Sequence, residues 1–277
     1  MIKLVFGFLL AASCFAGTFI GQISDSSCGA SHGKMAGQHG KSDRDCTLAE
    51  RLNAIADTVR NEAPAFCSEV DLFVARLEAA RAGNTAPKVG DEMPLFTMPD
   101  QDGHLVSLQD LLGDGPVVLV FHRGHWCPYC RLNIAGVAQI EDKLRPARVI
   151  GISAETQRYT RRMRREARAS FPILTDYGAG YALSINLAVW VPPRMSKMIE
   201  GAGWDIPLYQ GGTDWILPIP AVFVVGKDGR ILTRHVDPDY RRRMELADLL
   251  SSVDQLRQKP ILPVGRAKQV QKRASFA

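Results

Sequence analysis

Val117–Phe121, in the stretch "PVVLVFHR", is five apolar residues in a row with no polar position at which one face of a strand could meet water. Such a run belongs to a strand buried on both faces, so it demands layers of other elements above and below it. The chain supplies them in alternation. "CRLNIAGVAQIEDKLR" has helical spacing from Leu132 through Ile140 to Leu144, "ARVIGISA" is a second buried strand, "ETQRYTRRMRREARAS" a basic helix and "FPILTD" a third strand. "PIPAVFVVGKDGRILTRHV" then reads as a hairpin around an Asp-Gly turn, and "YRRRMELADLLSSVDQLR" as a closing helix. Upstream, "LFTMPDQDGHLVSLQDLL" offers two short strands, another Asp-Gly turn and a helix start. This order predicts an α/β fold of thioredoxin type, a central mixed sheet flanked by helices.

With 277 residues, 46% of them hydrophobic and 23% charged, the chain has room for one such domain and some additions. The domain is expected over residues 87–256. Before it, 51–86 form a helical preface and linker: Leu52, Ile55, Ala56 and Val59 share a face, Pro64 interrupts, and Val70, Phe73, Val74 and Leu77 repeat the spacing. Residues 17–50 read as a loop-rich stub with one short strand (18–23), and 257–277 as a disordered basic tail. Residues 1–16 have the anatomy of a secretory signal peptide, with lipidation at Cys14 as the rival reading, so an exported and oxidising location is expected, periplasmic or extracellular. No other segment is apolar enough to span a membrane. The net charge of +5 comes partly from Arg158–Arg168 and Tyr240–Met244. Both clusters read as solvated helix faces, and too little aromatic or glycine residue separates their arginines to argue for a nucleic-acid partner.

Chemistry concentrates where the buried strand meets the next helix, at Cys127 and Cys130. Pro128 suits a first helical turn. Helix N–H groups, with Arg123, His125 and Arg131 nearby, are expected to lower the Cys127 pKa and make it the nucleophile, while Cys130, one turn later, resolves it. A zinc half-site and a purely structural pair are the alternatives; zinc needs further ligands, and only His235 follows residue 130. In the stub, Cys28 and Cys46 form either a disulfide staple or, with His32 and His39, a metal site. Cys67 reads as a buried free thiol or a distant resolving cysteine. The insert Leu187–Trp215, rich in Trp, Pro, Met and Gly, is either a wall over Cys127 or the contact of a homodimer.

Three blocks, "KVGDEMPLFTMPDQDGHLVSLQDLL", "PVVLVFHRGHWCPYCRLNIAGVAQIE" and "WILPIPAVFVVGKDGRILTRHVDPDYRRRMELADLL", resemble in order and spacing the peroxiredoxin-like branch of the alkyl hydroperoxide reductase and thiol-specific antioxidant (AhpC/TSA) family. The resemblance covers roughly residues 51–256. It implies a thioredoxin fold and thiol-dependent reduction of hydrogen peroxide or organic hydroperoxides with no cofactor: Cys127 becomes a sulfenic acid, Cys130 condenses with it, and a thioredoxin-like dithiol restores both. It also implies Arg123 as a catalytic residue and His125, Trp126 and Pro220 as substrate-positioning residues. One departure concerns the family's Pro-x-x-x-Thr/Ser-x-x-Cys motif, whose hydroxyl bonds the peroxide. Counted back from Cys127, Val120 and Gly124 occupy those places, and Arg123 or a turn N–H would have to polarise the O–O bond. Pro220 sits where thioredoxin-fold oxidoreductases keep a cis-proline, which favours disulfide exchange on exported proteins as a second reading; its ordinary alternative is a strand-entry proline. The stub faintly resembles a small bacterial module through Asp25, Cys28, His32, Cys46 and Thr47, with Glu50 in place of its last cysteine, which leaves a noncatalytic metal-binding module as a third reading.

Overall fold

A computed structural model describes residues 46–258. The expected signal peptide, the stub strand, Cys14, Cys28, His32, His39 and the basic tail lie outside the described residues, and so does the proposed Cys28–Cys46 pairing.

β1 (Thr97–Pro99) and β2 (Leu105–Ser107) form a small antiparallel pair, with Gly103 at φ +90° in the Asp-Gly turn between them. α3 (Leu108–Asp114) follows, its Ser107 hydroxyl accepting the Asp110 N–H. β3 (Val117–Phe121) is the expected buried strand and occupies the centre of the main sheet. β4 (Arg148–Ser153) and β5 (Ile173–Thr175) lie parallel on one side of it. On the other side β8 (Ala221–Val225) runs antiparallel, with β9 (Ile231–Val236) beyond, giving the order β5-β4-β3-β8-β9. This mixed sheet, with helices on both faces, is a thioredoxin-like fold.

Because side chains alternate across a strand, β3 feeds two cores. Val118 and Val120, with Val222 and Val224 of β8, face α4 (Pro128–Ile140), whereas Val117, Leu119, Phe121 and Phe223 face α3. The preface packs into the α4 side. α1 (Leu48–Glu62) opens with a capping box between Thr47 and Glu50, α2 (Pro64–Ala79) has proline in its first turn, and Leu52, Ile55, Val70, Phe73 and Val74 share a core with Ile134 and Val137. α5 (Gln157–Glu166) is the expected basic helix. After α6 (Gly180–Ser184), the insert is bracketed by β6 (Ala188–Trp190) and β7 (Ile216–Pro218), paired antiparallel. Between them lie α7 (Pro193–Gly201) and α8 (Ile206–Gln210).

The closing helix, α9 (Leu246–Gln258), starts six residues later than the sequence pattern suggests. Local bonds compete with the helix: Asp237 accepts the Asp239 N–H, and Asp239 accepts both the N–H and the guanidinium of Arg241. Tyr240–Glu245 is therefore a loop, and its last residue reaches across to accept the first N–H groups of α1, from Leu48 (3.1 Å) and Ala49 (2.7 Å). Among the described residues no helix is long and apolar enough to cross a membrane.

Candidate active site

Where β3 ends, the chain turns sharply into α4. Gly124 adopts φ +142°, and a Cβ there would stand 2.6 Å from both Oε1 of Glu155 and Nε1 of Trp126, so the turn accepts no side chain at this position. The turn is clamped by Glu155, just past the end of β4, whose carboxylate accepts the His125 N–H at 2.8 Å and meets the His125 Nδ1 at 2.6 Å. Burial pushes the Glu155 pKa up, and the His125 contacts oppose that rise. The rings of Tyr159 and Tyr209 pack on His125 at 4.8 and 4.9 Å.

Cys127 is the N-cap of α4 and Cys130 lies in its first turn, as the sequence spacing requires. Both sulfurs are enclosed, the residues being 1% and 0% exposed. Their ionisation departs from expectation. Cys127 makes no capping bond to the helix N–H groups, and burial, followed by the interaction with Cys130, pushes its pKa well up. The stabilising donors converge on Cys130 instead: the Arg123 backbone N–H at 3.4 Å and the Arg243 guanidinium at 3.6 Å. Burial opposes the Cys130 thiolate, but the hydrogen bond from Cys127, the charges of Arg243 and Arg123 and the backbone N–H outweigh it, holding the pKa down at about 5. A place at the helix start does not aim a sulfur at the helix dipole. The donors therefore favour a thiolate on Cys130, where the sequence spacing led to the expectation of one on Cys127.

Arg243 escaped the sequence reading because "YRRRM" looks like a solvated helix face. The loop conformation of Tyr240–Glu245 turns this arginine inward, where its Nη1 donates to the carbonyls of Tyr240 and Arg242. The other two arginines do face charge partners at the surface, Arg241 on Asp71 and Asp239, Arg242 on Glu78, Asp237 and Asp239. Arg123 lies buried between two rings, 3.8 Å from the Tyr240 centroid and 4.9 Å from that of Trp126. Arg131 points away to Glu166 at 3.3 Å.

Two further expectations change. The Ile219–Pro220 bond is trans, the cis X-Pro bond among the described residues being Arg145–Pro146, so Pro220 is a buried residue leading into β8 and not a cis-proline facing the thiols. Cys67 sits in α2 as a buried free thiol, with its Sγ directed at Asp71. The insert, by contrast, does reach the site: Trp204 packs on Trp126 at 5.7 Å and Tyr209 on His125. Several buried polar atoms here have no partner among the described residues, namely Nε1 of Trp126 and both ring nitrogens of His122. Burial, then the electrostatic interactions with Arg243 and His125, lowers the His122 pKa to about 3, which keeps the ring neutral.

Against known proteins, the AhpC/TSA family model matches residues 89–234. Peroxiredoxin Bcp of Escherichia coli (strain K12) is 33% identical over 91 residues, covering 32% of this chain and 58% of that protein. The chloroplastic peroxiredoxin Q of Triticum aestivum is 35% identical over 136 residues, covering 46% of this chain and 62% of that one. Each match thus spans less than two thirds of the relative's length. The crystal structure of peroxidoxin BcpB from Mycobacterium tuberculosis superposes with a TM-score of 0.48 at 21% identity, covering 61% of this chain and 98% of that one. The family match takes in over half of the 277 residues and runs from the approach to β1 into β9, with the cysteine turn inside it: the chain belongs to the AhpC/TSA family.

Proposed function

We propose that the protein is a thiol peroxidase in which Cys130 attacks the peroxide and Cys127 resolves it. The observation that carries this is the convergence of the Arg123 N–H and the Arg243 guanidinium on one sulfur, that of Cys130. The family motif supports the same register: counted back from Cys130, Arg123 takes the proline position and Cys127 the Thr/Ser position. In this register a thiol stands in place of the hydroxyl. With its pKa raised, Cys127 is protonated at neutral pH and donates its S–H toward the Cys130 thiolate. That several relatives are named peroxiredoxins agrees with this reading.

The Cys130 thiolate attacks the distal oxygen of the hydroperoxide. The S–O bond forms as the O–O bond breaks, and the departing alkoxide or hydroxide takes a proton, leaving a Cys130 sulfenic acid and an alcohol or water. Cys127 then attacks the Cys130 sulfur, and its thiol proton leaves with the hydroxyl as water, closing the disulfide. A thioredoxin-like dithiol of the exported compartment, oxidised in turn to its own disulfide, returns both thiols. Arg123 and Arg243 stabilise the anionic sulfur and the oxygen that develops charge. Disulfide exchange loses the feature that favoured it, since Pro220 is trans.

Dimedone trapping and mass spectrometry after one equivalent of peroxide provide the test. Cys127→Ser should consume one equivalent and carry the label on residue 130, whereas Cys130→Ser should consume none. A sulfenic acid on Cys127 in the Cys130→Ser protein overturns the assignment.

A further inference from the structure

We infer that the insert between β6 and β7 restricts this site to hydrogen peroxide and comparably small hydroperoxides, with Trp204 as the specificity-determining residue; this rests on the thiol-peroxidase reading. Two layers of side chains are built on the turn that carries the thiols. The inner one is polar and incomplete at one donor: the Trp126 indole N–H is buried against Gly124 and has no acceptor among the described residues, beside the Arg123 guanidinium that is held by the faces of two rings. A buried donor left without an acceptor is costly and calls for a small oxygen-bearing ligand or water. Hydrogen peroxide, polar at both ends, meets that demand within the space of two heavy atoms.

The outer layer is aromatic and comes from the insert. Trp204, itself only partly exposed, packs on Trp126 at 5.7 Å, and Tyr209 closes on His125 at 4.9 Å and on Tyr159 at 4.7 Å. Trp126 directly precedes Cys127 in the chain, so a large substituent on a hydroperoxide held at the thiols would meet this aromatic cluster on the side where Trp126 and Trp204 pack. They are not free to drift. The Thr156 N–H bonds the Tyr209 carbonyl at 2.9 Å, the Gln210 amide bonds the Ile216 carbonyl at 2.9 Å, and Asp205 caps the helix that carries Tyr209. Arg194 of α7 pairs with Glu69 of α2 at 2.9 Å, while Met195 and Ile199 bury the same helix in the core. A bulky substrate must therefore break packed aromatic contacts before reaching the sulfur, whereas hydrogen peroxide need not.

The experiment compares kcat/KM for hydrogen peroxide and cumene hydroperoxide in the wild type, Trp204→Ala, Trp204→Leu and Trp190→Ala, the last altering an exposed tryptophan of the same insert. The wild type should favour hydrogen peroxide at least tenfold. Trp204→Ala should shift the ratio toward cumene hydroperoxide by tenfold or more, Trp204→Leu by less, and Trp190→Ala by under twofold. A general loss of fold would lower both rates without moving their ratio, and Trp204→Leu, which keeps the apolar contact, guards against that outcome. Equal wild-type constants, or ratios unmoved in both Trp204 variants, overturn the filter while leaving the peroxidase reading in place. A wild type that loses no thiol to either peroxide overturns both.

Discussion

Arg243 gives Cys130 a fixed positive partner at 3.6 Å inside a site closed to solvent, where little water screens the interaction. Replacing it by glutamine should raise the Cys130 pKa from about 5 by at least one unit, read as the midpoint of the 240 nm thiolate absorbance, and slow the first turnover near neutral pH by about tenfold or more. The Cys127 position offers a sharper contrast. Serine there restores the hydroxyl of the family motif, so Cys127→Ser should retain the first turnover, whereas Cys127→Ala removes the donor to the thiolate and should slow it by roughly tenfold, about one hydrogen bond to a charged group. The pair itself was legible from spacing alone. The division of labour proposed for it was not, because a sequence shows how far a cysteine lies from a helix start but not which groups return to its sulfur from a loop more than a hundred residues on. Counting the motif back from Cys130 was the one sequence signal that could have found it.

Among the elements, the turn from β3 to α4 depends on the end of its neighbour β4. Glu155 ties the two by accepting from the His125 backbone and meeting its ring, a buried carboxylate kept by two contacts to one residue. Glu155→Ala should cost about 2–4 kcal/mol in urea denaturation, because a buried ring nitrogen and a backbone N–H both lose their acceptor; Glu155→Gln, which keeps one acceptor, should cost less. Gly124→Ala should be destabilising by about 1–3 kcal/mol, since it combines a left-handed backbone with a clash against Glu155 and Trp126. Strands and helices with a clear period were readable, from β3 through the β8–β9 hairpin to the two preface helices. The start of α9 and the fold of the insert were not. At the first, aspartates satisfy the backbone locally; at the second, short elements exist because they pack on Trp126, His125 and α2, a tertiary cause that no window of sequence contains.

For the whole molecule, His122 and Cys130 bend stability in the same direction with pH. His122 holds a folded pKa of about 3 against an ordinary 6.5, so below 6.5 the unfolded chain binds a proton that the folded one refuses. Its contribution is lost as pH falls from 6.5 toward 3, at up to about 1.4 kcal/mol per pH unit. Cys130 has a folded pKa of about 5 against an ordinary 9.0, so its contribution is complete above 9 and declines as pH falls to 5. Glu155, raised by burial, runs the other way. Urea midpoints at pH 4 and pH 7 should therefore differ strongly in the wild type and less in His122→Phe, in which the Cys130 contribution remains. The disulfide form, which has no Cys130 thiolate, should show a shallower slope than the reduced form between pH 5 and 9. The position of Arg243 also gives the chain an order in time. A ribosome makes Cys130 long before the residue that ionises it, and in the interval the sulfur is an ordinary, mostly protonated thiol. Full reactivity toward oxidants thus arrives only once Tyr240–Glu245 has been made and has folded home, and a product cut short after β9 would carry both cysteines yet lack the charge that arms them.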